Sequence, residues 1–177
     1  MSKKSFNLII KEKILPFNKI IKVDSDKSIS IRSLLIGAIS QNISYIKNIL
    51  ESEDVISTVI CLKKLGIKIL KKNGNFIVYG KGLGSFSAKK NMELNFGNSG
   101  TLARLIIGIL STTPDININL TGDHSLKKRS MKKLILLMSE FGASFEPKKK
   151  FNFPIKLISS KIPIGINYKA GVSAQLK

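Results

Sequence analysis

An internal repeat constrains this chain more than any other feature. One stretch runs IKVDSDKSISIRSLLIGAIS, SYIKNI, SEDVISTVICLKKLG and IKILKKNGNFIVYG. A second runs MELNFGNSGTLARLIIGILS, DININLTGD, SMKKLILLMSEFG and ASFEPKKKFNFPIKLIS. Both read as strand, helix, strand, helix and a two-strand hairpin. Ser40 and Ser111 end equivalent helices, and Gly66 and Gly142 each precede a hairpin. A third unit opens with INYKAGVSAQLK and is cut off at Lys177. The expected fold class is α/β (α+β), built from repeated βαβαββ units, two of them present and a third begun. Repeat 1 falls at about 21–80, repeat 2 at about 91–160 and the start of repeat 3 at about 161–177. One such unit cannot bury its apolar face alone, so neighbouring units must stack.

Local signals agree with this division. Ser52 is placed to cap a helix in which Val55, Val59, Leu62 and Leu65 recur at helical spacing, and Gly66 suits its left-handed C-terminal cap. Lys72-Asn73-Gly74 separates two alternating apolar segments, and Asn-Gly is a strong hairpin signal. GKGLGSFSAKK, Gly80 to Lys90, reads as the linker between repeats. Its glycines resemble a piece of a phosphate-binding loop, but no capped apolar helix follows at once, so the connector reading is preferred.

Composition narrows the function. The 177 residues are 43% apolar, which supports a buried core, and carry a net charge of +19. Of the 30 cationic residues, 27 are lysines; Arg32, Arg104 and Arg129 are the three arginines. Lysine is a mobile point charge, whereas arginine offers a rigid bidentate fork, so the scarce arginines are the first candidates for ligand contact. Cys61 is the one cysteine and has no internal disulfide partner, which fits a reducing compartment. With His124 the one histidine, no His-rich metal cluster is expected, and no metal or cofactor is assigned. The apolar stretch Leu8 to Ile10 is too short for a signal-peptide core. Runs such as Leu105 to Leu110 fall far below the roughly 18 residues of a membrane span. A soluble, cytoplasmic protein is expected.

The chemistry concentrates where each repeat enters its first helix. Unit one carries Asp26-Lys27-Ser28-Ile29-Ser30-Ile31-Arg32, unit two Gly97-Asn98-Ser99-Gly100-Thr101-Leu102-Ala103-Arg104, and unit three Gly171-Val172-Ser173-Ala174-Gln175. A helix start presents unpaired N–H groups and the positive end of the dipole, which together suit an anion. Hydroxyls add donors, Gly100 allows close approach to the backbone, and Lys27 adds a full charge. Arg32 falls about 140° around the helix from Lys27 and must reach back along a ligand. Each start taken singly reads equally well as an ordinary N-cap on a core helix. Their recurrence at equivalent repeat positions, two with an arginine, favours anion binding. Arg129, in Lys127-Lys128-Arg129-Ser130, immediately precedes another helix.

Five segments, SDKSISIRSLLIGAIS, NILESEDVISTVICLKKLG, FGNSGTLARLIIGILS, LTGDHSLKKRSMKKL and GVSAQLK, resemble in that order the N-terminal motifs of the 5-enolpyruvylshikimate-3-phosphate synthase family. The resemblance spans about Val23 to Lys177. It implies transfer of the enolpyruvyl group of phosphoenolpyruvate to the 5-hydroxyl of shikimate 3-phosphate, with release of phosphate, in aromatic amino acid biosynthesis. It also implies two domains of three βαβαββ units each. Residues 1–20 would then be a first-domain strand (Phe6 to Ile10) and crossover, and 21–177 an incomplete second domain. By resemblance Lys27 touches both substrates, and Ser28 and Arg32 hold shikimate 3-phosphate. Gly100 and Arg129 belong to the phosphoenolpyruvate site. Ser173, Ala174 and Gln175 bind the shikimate phosphate, with Gln175 also reaching phosphoenolpyruvate.

Two departures from the family pattern stand out. Ile31 replaces a residue that is polar in many relatives, a change expected to affect packing. The family's chain is also well over twice this length, and its acidic catalytic residues fall beyond Lys177. No catalytic residue is therefore assigned here, the chain alone is expected to be inactive, and a complementary C-terminal segment is an implied partner. Glu51, Glu53 and Asp54 cluster at a helix start and read as dipole-complementing caps, not as an acid/base pair.

Two rivals remain. UDP-N-acetylglucosamine enolpyruvyl transferases share the fold but use a reactive loop cysteine, whereas Cys61 falls mid-helix among apolar neighbours. A non-catalytic basic nucleic-acid-binding protein would explain +19. However, the lysines are dispersed and aromatics are 7%, with no basic helix carrying stacking residues, so no nucleic-acid partner is expected.

Overall fold

The computed structural model describes residues 23–169 together with Asn7, Ile9, Lys11, Lys13, Pro16, Asn18 and Ile20. Of the expected first-domain strand, Asn7 and Ile9 are described and are not in a strand, while Phe6, Leu8 and Ile10 lie outside the described residues, as do Ser173, Ala174 and Gln175. The first unit comprises α1 (Lys27–Ile39), β1 (Gln41–Ile46), α2 (Glu53–Lys64), β2 (Lys68–Lys72) and β3 (Asn75–Lys81). The second comprises β4 (Glu93–Asn95), α3 (Gly100–Ser111), β5 (Asn117–Thr121), α4 (His124–Lys127), α5 (Lys132–Glu140), β6 (Ser144–Glu146) and β7 (Ile155–Ile158).

The second unit follows the expected order with one extra short turn of helix, α4. Its sheet is ordered β4-β5-β7-β6, with β4 parallel to β5 and the other pairs antiparallel. The first unit shows three strands, ordered β1-β3-β2. Neither Ile20 nor Val23 is in a strand, and residues 21–22 lie outside the described residues. Residues 161–169, expected to open the third repeat, hold neither helix nor strand.

The hairpin at Asn73-Gly74 forms as expected. Both residues take positive φ, 50° and 72°, the backbone twist that a two-residue turn between right-twisted strands demands. Gly66 and Gly142 likewise leave their helices at φ 86° and 98°. Ser52 does occupy the N-cap position of α2, but its hydroxyl is buried and makes no capping bond. One boundary moved. The strand expected at Ser44 to Ile49 instead runs Gln41–Ile46, in register with β3 from Gln41↔Lys81 to Ile46↔Phe76. The polar pair Gln41-Asn42 conceals the strand start, and tertiary pairing overrides it.

Gly80 belongs to β3 and not to the linker, and it faces the end of α1. A Cβ there would overlap the carbonyl oxygens of Gly37 and Ser40, so the helix end and the strand approach as closely as backbones can. The connector proper begins at Gly82 and is anchored in the core by Phe86, 4% exposed.

The core joins both units. Leu34 of α1, Leu62 of α2 and Leu102, Ile106, Ile107 and Leu110 of α3 are fully buried in one cluster with Leu94 and Phe96 of the β4 region. Helix α1 packs on α2, α3 and β3, and α2 bridges β2 and β4. The α3 residues recur at helical spacing, which turns one continuous apolar face inward. Burying each such side chain contributes about 1.5–3 kcal/mol. The helix starts of α1, α2 and α3 are thereby brought together.

Candidate functional site

The α3 start is held by nearby side chains that accept from its backbone N–H groups. Asn95 Oδ1 accepts from the Gly97 N–H at 2.9 Å, and Ser99 Oγ caps the helix through the Leu102 N–H at 3.3 Å. The Asp123 N–H donates to the Gly97 carbonyl, fastening the α4 start beside it, and Asp123 caps α4 through the Leu126 N–H at 2.7 Å. These contacts leave Arg129, just after α4, over the α3 start. Its Nη2 donates to Asn98 Oδ1 at 2.8 Å. Arg104 folds back one turn along α3, and its Nη1 donates to the Gly100 carbonyl at 3.3 Å.

The α1 start closes the opposite side. Asp26 caps α1 by accepting from the Ile29 N–H at 2.7 Å, so one N–H group expected to meet a ligand is taken by the chain itself. Lys27, next in line, points to α2, where its Nζ lies 2.8 Å from Asp54 Oδ2. Together these elements enclose a cavity of about 200 Å3 lined by Lys27, Asp54, Asn98, Gly100, Thr101, Arg104 and Arg129.

Three cations and one carboxylate give this cavity a formal charge of +2. A Cβ built on Gly100 would lie 2.9 Å from Arg104 Nη1 and 3.2 Å from Arg129 Nη1, so both guanidiniums crowd one point. Burial pushes the Arg104 pKa down from its ordinary value, and the like charge of Arg129 pushes it further. Arginine nonetheless keeps its proton. Two guanidiniums held together in a polar, partly buried cavity are relieved by an anion between them, through charge-assisted hydrogen bonds. A larger depression of about 680 Å3 spans Glu93, Asn119, Glu146 and Lys156 on the four-stranded sheet, and no arginine is among its lining residues.

Of the residues expected from sequence, Lys27, Gly100 and Arg129 meet in this cavity. Ser28 and Arg32, both half-buried on α1, lie outside its lining. Asp54, Asn98, Thr101 and Arg104 line it without having been assigned to it. Arg104 carried a signal, its scarcity. Asp54 does sit in the first turn of α2, as a dipole complement would, but it also holds Lys27. Linear spacing contains no sign of that pair, because it depends on how α1 docks on α2.

Cys61 is fully buried, with its Sγ 3.4 Å from the Asn95 carbonyl oxygen. Burial pushes its thiol up to about 12, which Lys64 only partly offsets, so it carries no thiolate near neutral pH. Among the described residues no group of three His, Cys, Asp or Glu side chains is placed to hold a metal, and no helix is long and apolar enough to cross a membrane.

Comparison with known proteins matches this architecture. Residues 11–177 fit the EPSP synthase (3-phosphoshikimate 1-carboxyvinyltransferase) family. The chain belongs to that family. It is 39% identical to the 3-phosphoshikimate 1-carboxyvinyltransferase of Syntrophomonas wolfei over 169 residues, 95% of this chain and 39% of that protein. It is 45% identical to the enzyme of the same name from Caldicellulosiruptor saccharolyticus over 159 residues, 89% of this chain and 36% of that one. The solved EPSP synthase from Acinetobacter baumannii superposes with a TM-score of 0.79 at 33% identity, covering 88% of this chain and 36% of that chain. The chain thus spans less than two fifths of the length of these relatives.

Proposed function

We propose that this chain supplies the anion-binding face of a 3-phosphoshikimate 1-carboxyvinyltransferase. That enzyme transfers the enolpyruvyl group of phosphoenolpyruvate to the 5-hydroxyl of shikimate 3-phosphate. The products are 5-enolpyruvylshikimate 3-phosphate and phosphate, in aromatic amino acid biosynthesis. The observation that carries the proposal is the convergence of Lys27, Arg104 and Arg129 on one cavity of about 200 Å3. Both substrates bear phosphate and carboxylate groups, and cationic forks at helix starts are the chemistry that recognises them.

In this reading Lys27, Gly100 and Arg129 contact phosphoenolpyruvate, with Arg104 adding charge from behind. Ser28 and Arg32, together with Ser173, Ala174 and Gln175, hold shikimate 3-phosphate, and Lys27 and Gln175 reach both ligands. Chemistry requires a proton donor for the enolpyruvyl methylene and a base for the 5-hydroxyl. Asp54, the one carboxylate lining the cavity among the described residues, is engaged by Lys27. The acid/base groups come from the remaining length that the relatives possess, and the chain by itself binds without catalysing. The working compartment is the cytoplasm, in keeping with a single buried thiol.

The experiment is complementation in trans. The 177-residue chain is mixed with the C-terminal portion of the Caldicellulosiruptor saccharolyticus relative, and phosphate release from phosphoenolpyruvate is followed with and without shikimate 3-phosphate. Turnover in the mixture alone supports the reading. Robust turnover by the chain alone overturns the assignment of the acids elsewhere. If shikimate 3-phosphate and phosphoenolpyruvate do not bind at all, the proposal is lost.

A further inference from the structure

Arg104 and Arg129 bring like charges to one point above Gly100. The Nη1 atoms of the two lie 2.9 Å and 3.2 Å from where a Cβ on Gly100 would sit. Arg104 is tethered there, its Nη1 donating to the Gly100 carbonyl at 3.3 Å. Arg129 is exposed, and both repulsion from Arg104 and the rotamer freedom of a long side chain favour its swinging out into water. Among the described residues no carboxylate pairs with it. What opposes the swing is Asn98, whose Oδ1 accepts from Arg129 Nη2 at 2.8 Å. The Ser125 hydroxyl adds only a long contact to the same nitrogen at 3.4 Å.

We infer, resting on the anion-site reading above, that Asn98 is a positioning residue whose side-chain oxygen holds Arg129 over Gly100 against the repulsion of Arg104. A guanidinium is planar and rigid, so fixing Nη2 on Asn98 also aims Nη1. It is aimed at the point that Arg104 Nη1 already faces, and the two donors converge before any anion arrives. The other N–H groups of the fork stay free for the ligand. Asn98 itself is fixed in place because its neighbours Gly97 and Ser99 belong to the bonded turn and cap that start α3. The neutrality of the amide matters as much as its position. A carboxylate here would hold Arg129 at least as firmly but cancel its charge, whereas the amide oxygen leaves the cavity at its formal +2. The anion then has one fewer long side chain to order on binding.

The test uses the 177-residue chain and inorganic phosphate, with the Gly100 and Thr101 amide signals followed by NMR. Asn98→Leu keeps the size of the side chain and removes its acceptor, so phosphate affinity should fall roughly three- to tenfold. In an Arg129→Ala background the same change should cost less than about twofold, because Asn98 acts through that arginine. An equal loss in both backgrounds would point to direct contact or to support of the α3 start, and would overturn the inference while leaving the anion site intact. The Arg129 side-chain N–H signals give a second readout without ligand. They should be ordered in the unaltered chain and in Asn98→Asp, which keeps the tether but still weakens phosphate binding, and averaged in Asn98→Leu. Averaged signals in the unaltered chain would overturn the inference even if the variants fold poorly. If the unaltered chain binds no phosphate, the anion site and the proposed function fail, and the inference fails with them.

Discussion

Arg129 reaches across from the end of α4 to donate to Asn98 Oδ1 at 2.8 Å, and this bond ties the loop before α5 to the start of α3. It orients one guanidinium edge while leaving the rest of the fork to a ligand. Arg129→Ala and Lys27→Ala should each weaken phosphate binding by roughly tenfold or more, as expected for loss of a charge-assisted bond. Thermal stability should barely change, since both side chains are well exposed. Lys148→Ala, in the exposed loop before β7, is the control and should be silent. Equal losses at Lys148 and Arg129, measured by calorimetric titration, would mean that generic charge is responsible.

Gly100→Ala should act through the arginines. The new methyl falls 2.9 Å from Arg104 Nη1 and 3.2 Å from Arg129 Nη1, and these flexible ends will swing away before the backbone moves. Anion affinity should drop roughly three- to tenfold while the unfolding midpoint in urea stays nearly constant. The cycle with Arg104→Ala checks the cause, because the methyl should matter less once Arg104 is gone.

Two further glycines should respond in opposite directions. A Cβ at Gly80 meets the Gly37 and Ser40 carbonyls, which are backbone and cannot step aside, so Gly80→Ala should destabilise the chain by about 3 kcal/mol. Gly108 lies inside α3 with open space around it, so Gly108→Ala should stabilise by up to about 1 kcal/mol. Urea unfolding curves measure both, and a harmless Gly80→Ala would contradict the close approach of β3 to α1.

Cys61 predicts a pH dependence. Burial raises its thiol from the ordinary 9.0 to about 12. The thiol is neutral in both folded and unfolded states below pH 9, so its contribution to stability is fully present there. Above pH 9 the unfolded chain ionises first, and the contribution is lost progressively as pH rises toward 12. Cys61→Ala should therefore lose less stability than the unaltered chain as pH rises from about 9 toward 12. The native thiol should also resist alkylation near neutral pH and react once urea unfolds the chain. Rapid alkylation under native conditions would contradict its burial.

Several features were legible from neighbouring residues alone. Asn73-Gly74 marks a hairpin because few other pairs tolerate two positive φ values, and Val55, Leu62 and Leu65 mark α2 by their spacing. The β1 boundary was less legible. Gln41 and Asn42 are poor strand residues, drawn in by pairing with Lys81 and Gly80 of a strand far along the chain. The α4 turn escaped notice because four residues, His124 to Lys127, carry no helical period.

For the site itself, sequence alone determined that α1 and α3 start at similar capped motifs, that Arg32 and Arg104 follow those two starts, and that Lys27 opens α1. Such features follow from capping, periodicity and turn sterics, each confined to a few consecutive residues. Only the tertiary structure decided that Lys27 faces Asp54, that Arg104 and Arg129 crowd the same point above Gly100, and that Ser28 and Arg32 stand outside this cavity. Those relations depend on how α1, α2 and α3 settle against one another. That is decided by burying Leu34, Leu62, Leu102 and Ile106 in one shared core, a sum over the whole chain that no local pattern contains.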